Sequence, residues 1–180
     1  MSKPTSPIEV FIALGSNIAP ERNLARAVRM LGQNYHLALR AVSCVYETAP
    51  IDASGRIARD QGNFLNAAVL VETDYYSAFR LKYDVLRFIE RCLGRVRSAD
   101  KFAARSIDLD IALYGDQVIT TPLLTVPDPD ILKRAHIALP LADLAPGLVH
   151  PCTRQTLAAI AATLAAQPGI TVRDDLKLKA

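Results

Sequence analysis

The sequence predicts one α+β domain, a ferredoxin-like βαββαβ sandwich with a C-terminal extension of short helices and strands. Three observations carry that expectation. Strand and helix periodicities succeed one another in the order β-α-β-β-α-β between residues 9 and 114. Prolines at 122, 127, 129, 140, 146 and 151 then cut the chain into short pieces. The length of 180 residues, 51% of them hydrophobic, suffices for one core and is too short for two domains of roughly 100 to 200 residues. Residues 1–180 are therefore read as one domain, with a disordered segment over 1–8, a core over about 9–151, and a C-terminal helix and tail over 152–180.

Glu9–Leu14 is β-branched and aromatic and ends at the turn cluster Gly15-Ser16-Asn17, so it reads as a strand. Pro20 at a first helical position, Glu21 in the first turn, and Leu24, Val28 and Leu31 at i, i+4, i+7 predict a helix that Gly32 stops. A second strand is expected over Leu37–Tyr46, then a long polar connection over Glu47–Gly62 of the kind that is usually functional or disordered. In Phe64–Val71 both registers are filled, with Phe64, Asn66, Ala68 and Leu70 on one face and Leu65, Ala67, Val69 and Val71 on the other, the pattern of a central strand. Asp74 is placed to cap the next helix, along which Phe79, Tyr83, Leu86, Ile89 and Leu93 form an apolar stripe closed by Gly94. A basic loop over 95–105 leads to an alternating strand over Ser106–Tyr114, ended by Gly115-Asp116. The last helix is expected from about Arg154 to Ala166, and the proline-punctuated pieces before it are expected to cover an edge or the second face of the sheet.

The 21 basic and 18 acidic residues leave a net charge of +3, too little to argue for nucleic acid or membrane partners. Cys44, Cys92 and Cys152 are odd in number and widely spaced, which argues against a disulfide scaffold or a zinc site and fits a reducing cytoplasm. Met1–Glu9 has no apolar segment of a signal peptide. The longest apolar stretch, near 157–166, is about half the ~20 residues a membrane span needs. The motifs G-x-x-x-x-G-K-[ST], G-x-G-x-x-G and H-E-x-x-H are missing, which disfavours a Walker-type ATPase and a dinucleotide oxidoreductase.

Asp108 and Asp110 carry the strongest chemical signal. On a strand they point to the same face, roughly 6.6 Å apart along the chain. Ile107, Leu109, Ile111 and Leu113 define the opposite, buried face, so two hard oxygen donors project together where Mg²⁺ would suit them. Taken alone, a D-x-D string also describes a solvent-facing polar alternation. Arg95, Arg97 and Arg105 precede the pair, and guanidinium forks suit phosphate oxygens, so the combination points to phosphoryl transfer. A solvated basic loop at a helix C-terminus is the competing explanation. Asn66, on an otherwise apolar strand, either reads the edge of a heterocycle or satisfies a neighbouring loop backbone. Glu90 is either a surface carboxylate or a group that helps hold a cation or ribose.

The strings Ala13-Leu14-Gly15-Ser16-Asn17, Tyr46-Glu47-Thr48-x-Pro50, Asp60-Gln61-x-x-Phe64-Leu65-Asn66-Ala67, Gly94-Arg95-Val96-Arg97 and Arg105-Ser106-Ile107-Asp108-Leu109-Asp110 with Tyr114-Gly115 occur in that order. Together, from about Glu9 to Pro151, they resemble the 6-hydroxymethyl-7,8-dihydropterin pyrophosphokinase family. The resemblance implies transfer of a pyrophosphoryl group from ATP to the pterin hydroxymethyl oxygen, with release of AMP, in folate biosynthesis. It implies Asp108 and Asp110 as catalytic ligands of two Mg²⁺ ions, and Arg95 and Arg97 as catalytic residues on a loop that closes over ATP. Glu90, Arg105, Ile111, Asp128 and Arg134 complete the implied ATP contacts. Thr48, Ala49, Pro50, Ile51, Phe64, Asn66, Phe102 and His136 are the implied pterin contacts. ATP and a reduced pterin are the expected partners of a cytoplasmic monomer, with no nucleic acid and no membrane.

The chain departs from that family's pattern at several places. Asp128 follows Val126-Pro127 where the family has His, and His136 stands two residues after Arg134 where an aromatic stacks on the pterin. Phe102 replaces a Trp, Ala104 a Pro and Asp52 a Gly. These departures leave room for a paralogue acting on a different pterin. A non-catalytic ferredoxin-like binding module, for example for RNA, is the alternative from another class, although the aromatic-rich R/K-G-F/Y-G/A-F pattern is missing.

Overall fold

The computed structural model describes residues 6–51, 54, 56–58, 60–97, 100 and 102–179. Six strands form one sheet in the order β5-β1-β4-β3-β8, with β2 also paired to β4. The central strand β1 (Ile8–Ser16) lies antiparallel to β4 (Phe64–Thr73) and to β5 (Asp108–Tyr114). β2 (Ala38–Val42) and β3 (Tyr46–Thr48) pair with successive stretches of β4, and β8 (Ile170–Val172) adds to β3. Helices α1 (Pro20–Gly32) and α2 (78–92) pack Leu24, Val28 and Leu31, and Leu81, Leu86 and Ile89, against Val10, Ile12, Leu65 and Val69 of the sheet. This is the ferredoxin-like arrangement that the element order predicts.

The second face is covered as well. Helices α3 (Ala135–Leu144) and α4 (Leu157–Leu164) bury Ala138, Leu141, Leu157 and Ile160 against Phe11, Ala68 and Leu113. Pro140 punctuates the sequence yet lies inside α3. It removes one helical hydrogen bond, while its neighbours Ala138 and Leu141 are buried in this second core. Thr156, rather than Arg154, starts the last helix, its hydroxyl accepting a bond from the Ala159 N–H at 3.2 Å. A small hairpin of β6 (Ile119–Thr120) and β7 (Thr125–Val126) follows β5.

Several expectations need correction. Ile8, placed in the N-terminal disordered segment, already pairs with Thr73; residues 1–5 lie outside the described residues. The strand expected over Leu37–Tyr46 is broken between β2 and β3 because Ser43 substitutes for regular pairing there. Its N–H donates to the Ala68 carbonyl at 2.9 Å and its hydroxyl accepts from the Ala68 N–H at 2.8 Å. Ser77, not Asp74, caps α2, accepting from the Arg80 N–H at 3.4 Å, because a turn held by the Thr73 hydroxyl intervenes. Phe79 and Tyr83 lie beside the buried face of α2, which is made by Ala78, Leu81, Val85, Leu86, Ile89 and Leu93. The middle of α2, Leu81–Leu86, is π-helical.

β5 does not keep Leu109, Ile111 and Leu113 on one face. Phe11 faces Leu113 and Ile12 faces Ile111, so Ala112 is an extra residue, a β-bulge that sends Leu113 into the second core. Among the described residues no helix is long and apolar enough to cross a membrane. Cys44, Cys92 and Cys152 are free and exposed.

Leu141 is fully buried in the second core. Leu141→Ala is expected to cost about 2–5 kcal/mol of unfolding free energy, read from urea denaturation, through lost transfer energy and the cavity left behind.

Candidate active site

Directly opposed residues of antiparallel strands share a face. Asn66, Gly15 and Asp108 therefore form one row across β4, β1 and β5, and Ala68, Ala13 and Asp110 form the next. The two outer strands of each row stand about 10 Å apart, two strand spacings. Between Asn66 and the two aspartates the surface is thus made by Gly15 and Ala13. Even a methyl group at Gly15 would reach the Asn66 Oδ1 at 3.4 Å.

β5 is an edge strand, and the outward side of Leu109 is closed by side chains of α2. The Glu90 carboxylate accepts the Leu109 N–H at 2.9 Å, and the Lys82 ammonium donates to the Leu109 carbonyl at 2.8 Å. Lys82 also pairs with the Asp110 Oδ1. Glu90, only 1% exposed, holds Arg97 at 2.6 Å through its other oxygen, and its carbonyl accepts the Arg95 N–H at 2.9 Å. Glu90 is thus no surface carboxylate. Lys82 escaped the sequence reading, although its place on the buried face of α2, one residue after Leu81 and three before Val85, was a readable signal.

Asp108 and Asp110 open into a cavity of about 510 Å³ whose wall also includes Lys82, Arg87, Arg95, Arg97, Arg105, Ile111 and Asp128. The Asp108 Oδ2 accepts from the Arg105 Nη1 at 2.7 Å and lies 3.8 Å from the Arg95 Nη2. Burial pushes the Arg95 guanidinium below its ordinary pKa, with Asp108 opposing. The Nε of Arg95 and of Arg87 are buried and have no hydrogen-bond partner among the described residues. Buried donors of this kind call for an anionic ligand.

The uncharged end of the site is built by loops that the sequence motifs tie together. The Asn66 amide donates to the Thr48 hydroxyl at 3.0 Å and to the Tyr46 carbonyl at 3.3 Å. Phe64 lies on the same face of β4, with the Arg105 guanidinium 5.6 Å from its ring centroid. Pro50 is buried, Ala49 half-buried, and Ile51, 37% exposed, bridges to Ile57. Asn17 binds the loops to each other: its Oδ1 accepts the Arg105 N–H at 2.7 Å, and its amide donates to Gln61 and to the Gly62 carbonyl. Gln61 in turn donates to the Phe102 carbonyl at 3.0 Å. Asp52 lies outside the described residues, as do 98, 99 and 101 of the basic loop.

Asp128 reaches the cavity because its N–H donates to the carbonyl of the bulged Ala112 at 2.9 Å. Its carboxylate caps the 3₁₀ turn Pro129–Leu132, accepting the Asp130 N–H at 2.9 Å. Burial, aided by the charges of Asp110 and Asp130, pushes the Asp128 carboxyl up to about 6. Arg134 and His136 stand at the start of α3, outside this cavity wall, with Arg134 3.9 Å from Asp130. Burial, aided by Arg134, lowers His136 to about 4.

Among the described residues no group of three or more His, Cys, Asp or Glu side chains forms a metal site. The pair Asp108 and Asp110 suits Mg²⁺, which is commonly held by one or two carboxylates and by substrate phosphates. Among the described residues, the hydrogen bonds above engage the Asp108 Oδ2 and the Asp110 Oδ1.

A small α+β domain that gathers the carboxylates of Asp108 and Asp110 and several arginines around one cavity is a domain for handling phosphate groups. A sequence model of the 7,8-dihydro-6-hydroxymethylpterin-pyrophosphokinase family matches residues 11–146, and the chain belongs to that family. The 2-amino-4-hydroxy-6-hydroxymethyldihydropteridine pyrophosphokinase of Haemophilus influenzae is 35% identical over 145 residues, 80% of this chain and 86% of that protein. The protein of the same name from Bacillus subtilis is 38% identical over 135 residues, 74% of this chain and 76% of its own length. The chain spans only 27% of the Arabidopsis thaliana folate synthesis bifunctional protein, to which it is 35% identical. Among solved structures, Plasmodium falciparum HPPK-DHPS shares the fold at a TM-score of 0.70 and 16% identity, covering 97% of this chain and 45% of that one.

The two shifted groups act oppositely on stability. Asp128, raised from 3.8 to about 6, stabilises the fold below pH 4, and that contribution is lost as pH rises to about 6. His136, lowered from 6.5 to about 4, stabilises it above pH 6.5, and that contribution is lost as pH falls to about 4. Urea unfolding across this window is expected to show stability rising more steeply with pH in Asp128→Asn than in wild type, and less steeply in His136→Gln.

Proposed function

We propose that the protein transfers the pyrophosphoryl group of ATP to the hydroxymethyl oxygen of 6-hydroxymethyl-7,8-dihydropterin, with release of AMP, in folate biosynthesis. The observation that carries this reading is the pair of rows that sets Asp108 and Asp110 across a Gly15 and Ala13 floor from Asn66. A flat heterocycle held at the Asn66 end extends its substituent toward the carboxylates.

In this reading Asn66 and Thr48 orient the pterin edge, and Phe64, Ile51 and the Ala49-Pro50 backbone bound its pocket. Phe102 and His136 complete that pocket. Arg95, Arg97 and Arg105 bind the triphosphate, with Arg87 presenting a further buried donor. Arg134, Ile111 and Asp128 extend the nucleotide contacts, and Glu90 serves them by holding Arg97 and Leu109. Mg²⁺, two ions in this reading, would be held by Asp108 and Asp110 and would neutralise triphosphate charge. The hydroxymethyl oxygen bonds to the β-phosphorus and gives up its proton to the medium, the bond from that phosphorus to the α,β-bridging oxygen breaks, and AMP leaves with the bridging oxygen. The protein's share is positioning and electrostatic stabilisation in a site that excludes water. We place this activity in the cytoplasm, with ATP and a reduced pterin as the ligands.

Asp128 and His136 support a second reading, a related pyrophosphokinase for a different pterin. A panel of 6-substituted pterins in which only a variant supports AMP release would establish it. A sheet-surface RNA module is disfavoured, because α3 and α4 cover part of the face such a module uses.

The primary test is AMP release from ATP at saturating Mg²⁺, with and without the pterin. Pterin-dependent AMP is expected, and Asp110→Asn is expected to lower kcat about 100-fold or more, since metal-assisted charge stabilisation is worth several kcal/mol. Asn66→Ala should instead raise the KM for pterin about ten- to hundredfold, the worth of a buried polar contact set. A folded protein that forms no AMP with any pterin would sink the proposal.

A further inference from the structure

Lys82 is a charged residue of the cavity wall to which the pterin and ATP contacts give no role. Its side chain is 8% exposed, whereas that of its partner Asp110 is 49% exposed. The ammonium is tethered to the Leu109 carbonyl at 2.8 Å, inside the face of α2 that packs on β5. Lys82 is therefore fixed in the wall, and Asp110 is the partner that faces the cavity.

Resting on the pyrophosphokinase reading, we propose that Lys82 is a positioning residue that sets the divalent-cation affinity of the Asp108 and Asp110 pair. Its ammonium is a built-in counter-ion of Asp110. A divalent cation that approaches from the cavity meets a carboxylate already half neutralised, in a wall where Arg95 and Arg105 flank the other carboxylate. Binding of the metal alone is weakened, since like charges at such distances repel strongly away from bulk water. A triphosphate reverses the balance, because its negative charge offsets the three cations and its oxygens complete the metal's ligand set. The pair of carboxylates thereby loads metal together with nucleotide.

Binding of Mn²⁺ to the full chain, followed by electron paramagnetic resonance of the free ion, tests this. Without nucleotide, Lys82→Met and Lys82→Gln are expected to bind Mn²⁺ about tenfold or more tightly than wild type, because the opposing unit charge is gone. Lys82→Arg is expected to keep the weak binding. With α,β-methylene-ATP present the difference should narrow, and in an Asp110→Asn background the gain should vanish. A lysine that only satisfies the Leu109 carbonyl would give lower stability and no gain in affinity. Mn²⁺ affinity unchanged by both neutral variants, or a gain of equal size in the Asp110→Asn background, would overturn the role of Lys82. Wild-type protein without pterin-dependent AMP release would overturn the pyrophosphokinase reading instead, so the two failures are told apart.

Discussion

The peptide of Leu109 is the point on which the site depends. It lies between Asp108 and Asp110 on an edge strand, where an unpaired N–H and C=O would normally face water or another strand. Here two buried charges from one helix take both groups. Neither charge is left alone, since Glu90 is balanced by Arg97 and Lys82 by Asp110. Each pair joins a buried group to a half-exposed one, so removing the outer partner leaves a buried charge held by the Leu109 backbone groups alone. The packing of α2 on the sheet and the placement of the carboxylates are therefore a single constraint.

The bulge at Ala112 performs a second task on the same strand. It lets Asp108 and Asp110 share the ligand face while Leu113, three residues on from Asp110, enters the second core. It also turns the Ala112 carbonyl to the Asp128 N–H, which brings the chain after β7 back to the cavity. At the opposite edge of the sheet, β8 pairs with β3, and Arg173 reaches Glu47 at 3.1 Å. Thr48 and Asn66 are thus steadied from a segment more than a hundred residues away in the chain. Each end of the candidate site hangs on an edge strand closed by a different device.

Much of this was legible in the sequence. The element order gave the sheet, and the two filled registers of Phe64–Val71 placed Asn66 and Ala68 on one face and Leu65 and Val69 on the other, where they are found. The D-x-D alternation put the aspartates together. What escaped were features decided by partners distant in the chain. Lys82 looks like an ordinary helix charge, and Glu90, a candidate for holding a cation or ribose, shows its hold on Arg97 and Leu109 only once β5 supplies the backbone groups. Ser43 looks like part of a strand, yet its hydroxyl takes the place of a regular strand bond to Ala68. Pro140 reads as a break, and only burial against the second face keeps it inside a helix.

The floor made by Gly15 and Ala13 has a consequence for molecular selection. Side chains rise on both sides of it, while between them nothing larger than a methyl group stands on the sheet. Such a slot measures thickness rather than outline. An aromatic or nearly planar ring would lie flat on it at van der Waals distance, whereas a ring carrying a tetrahedral branch on its underside would be lifted off the sheet and lose alignment with the aspartates. A flat bicyclic ligand would accordingly have no depth to gain beneath its plane.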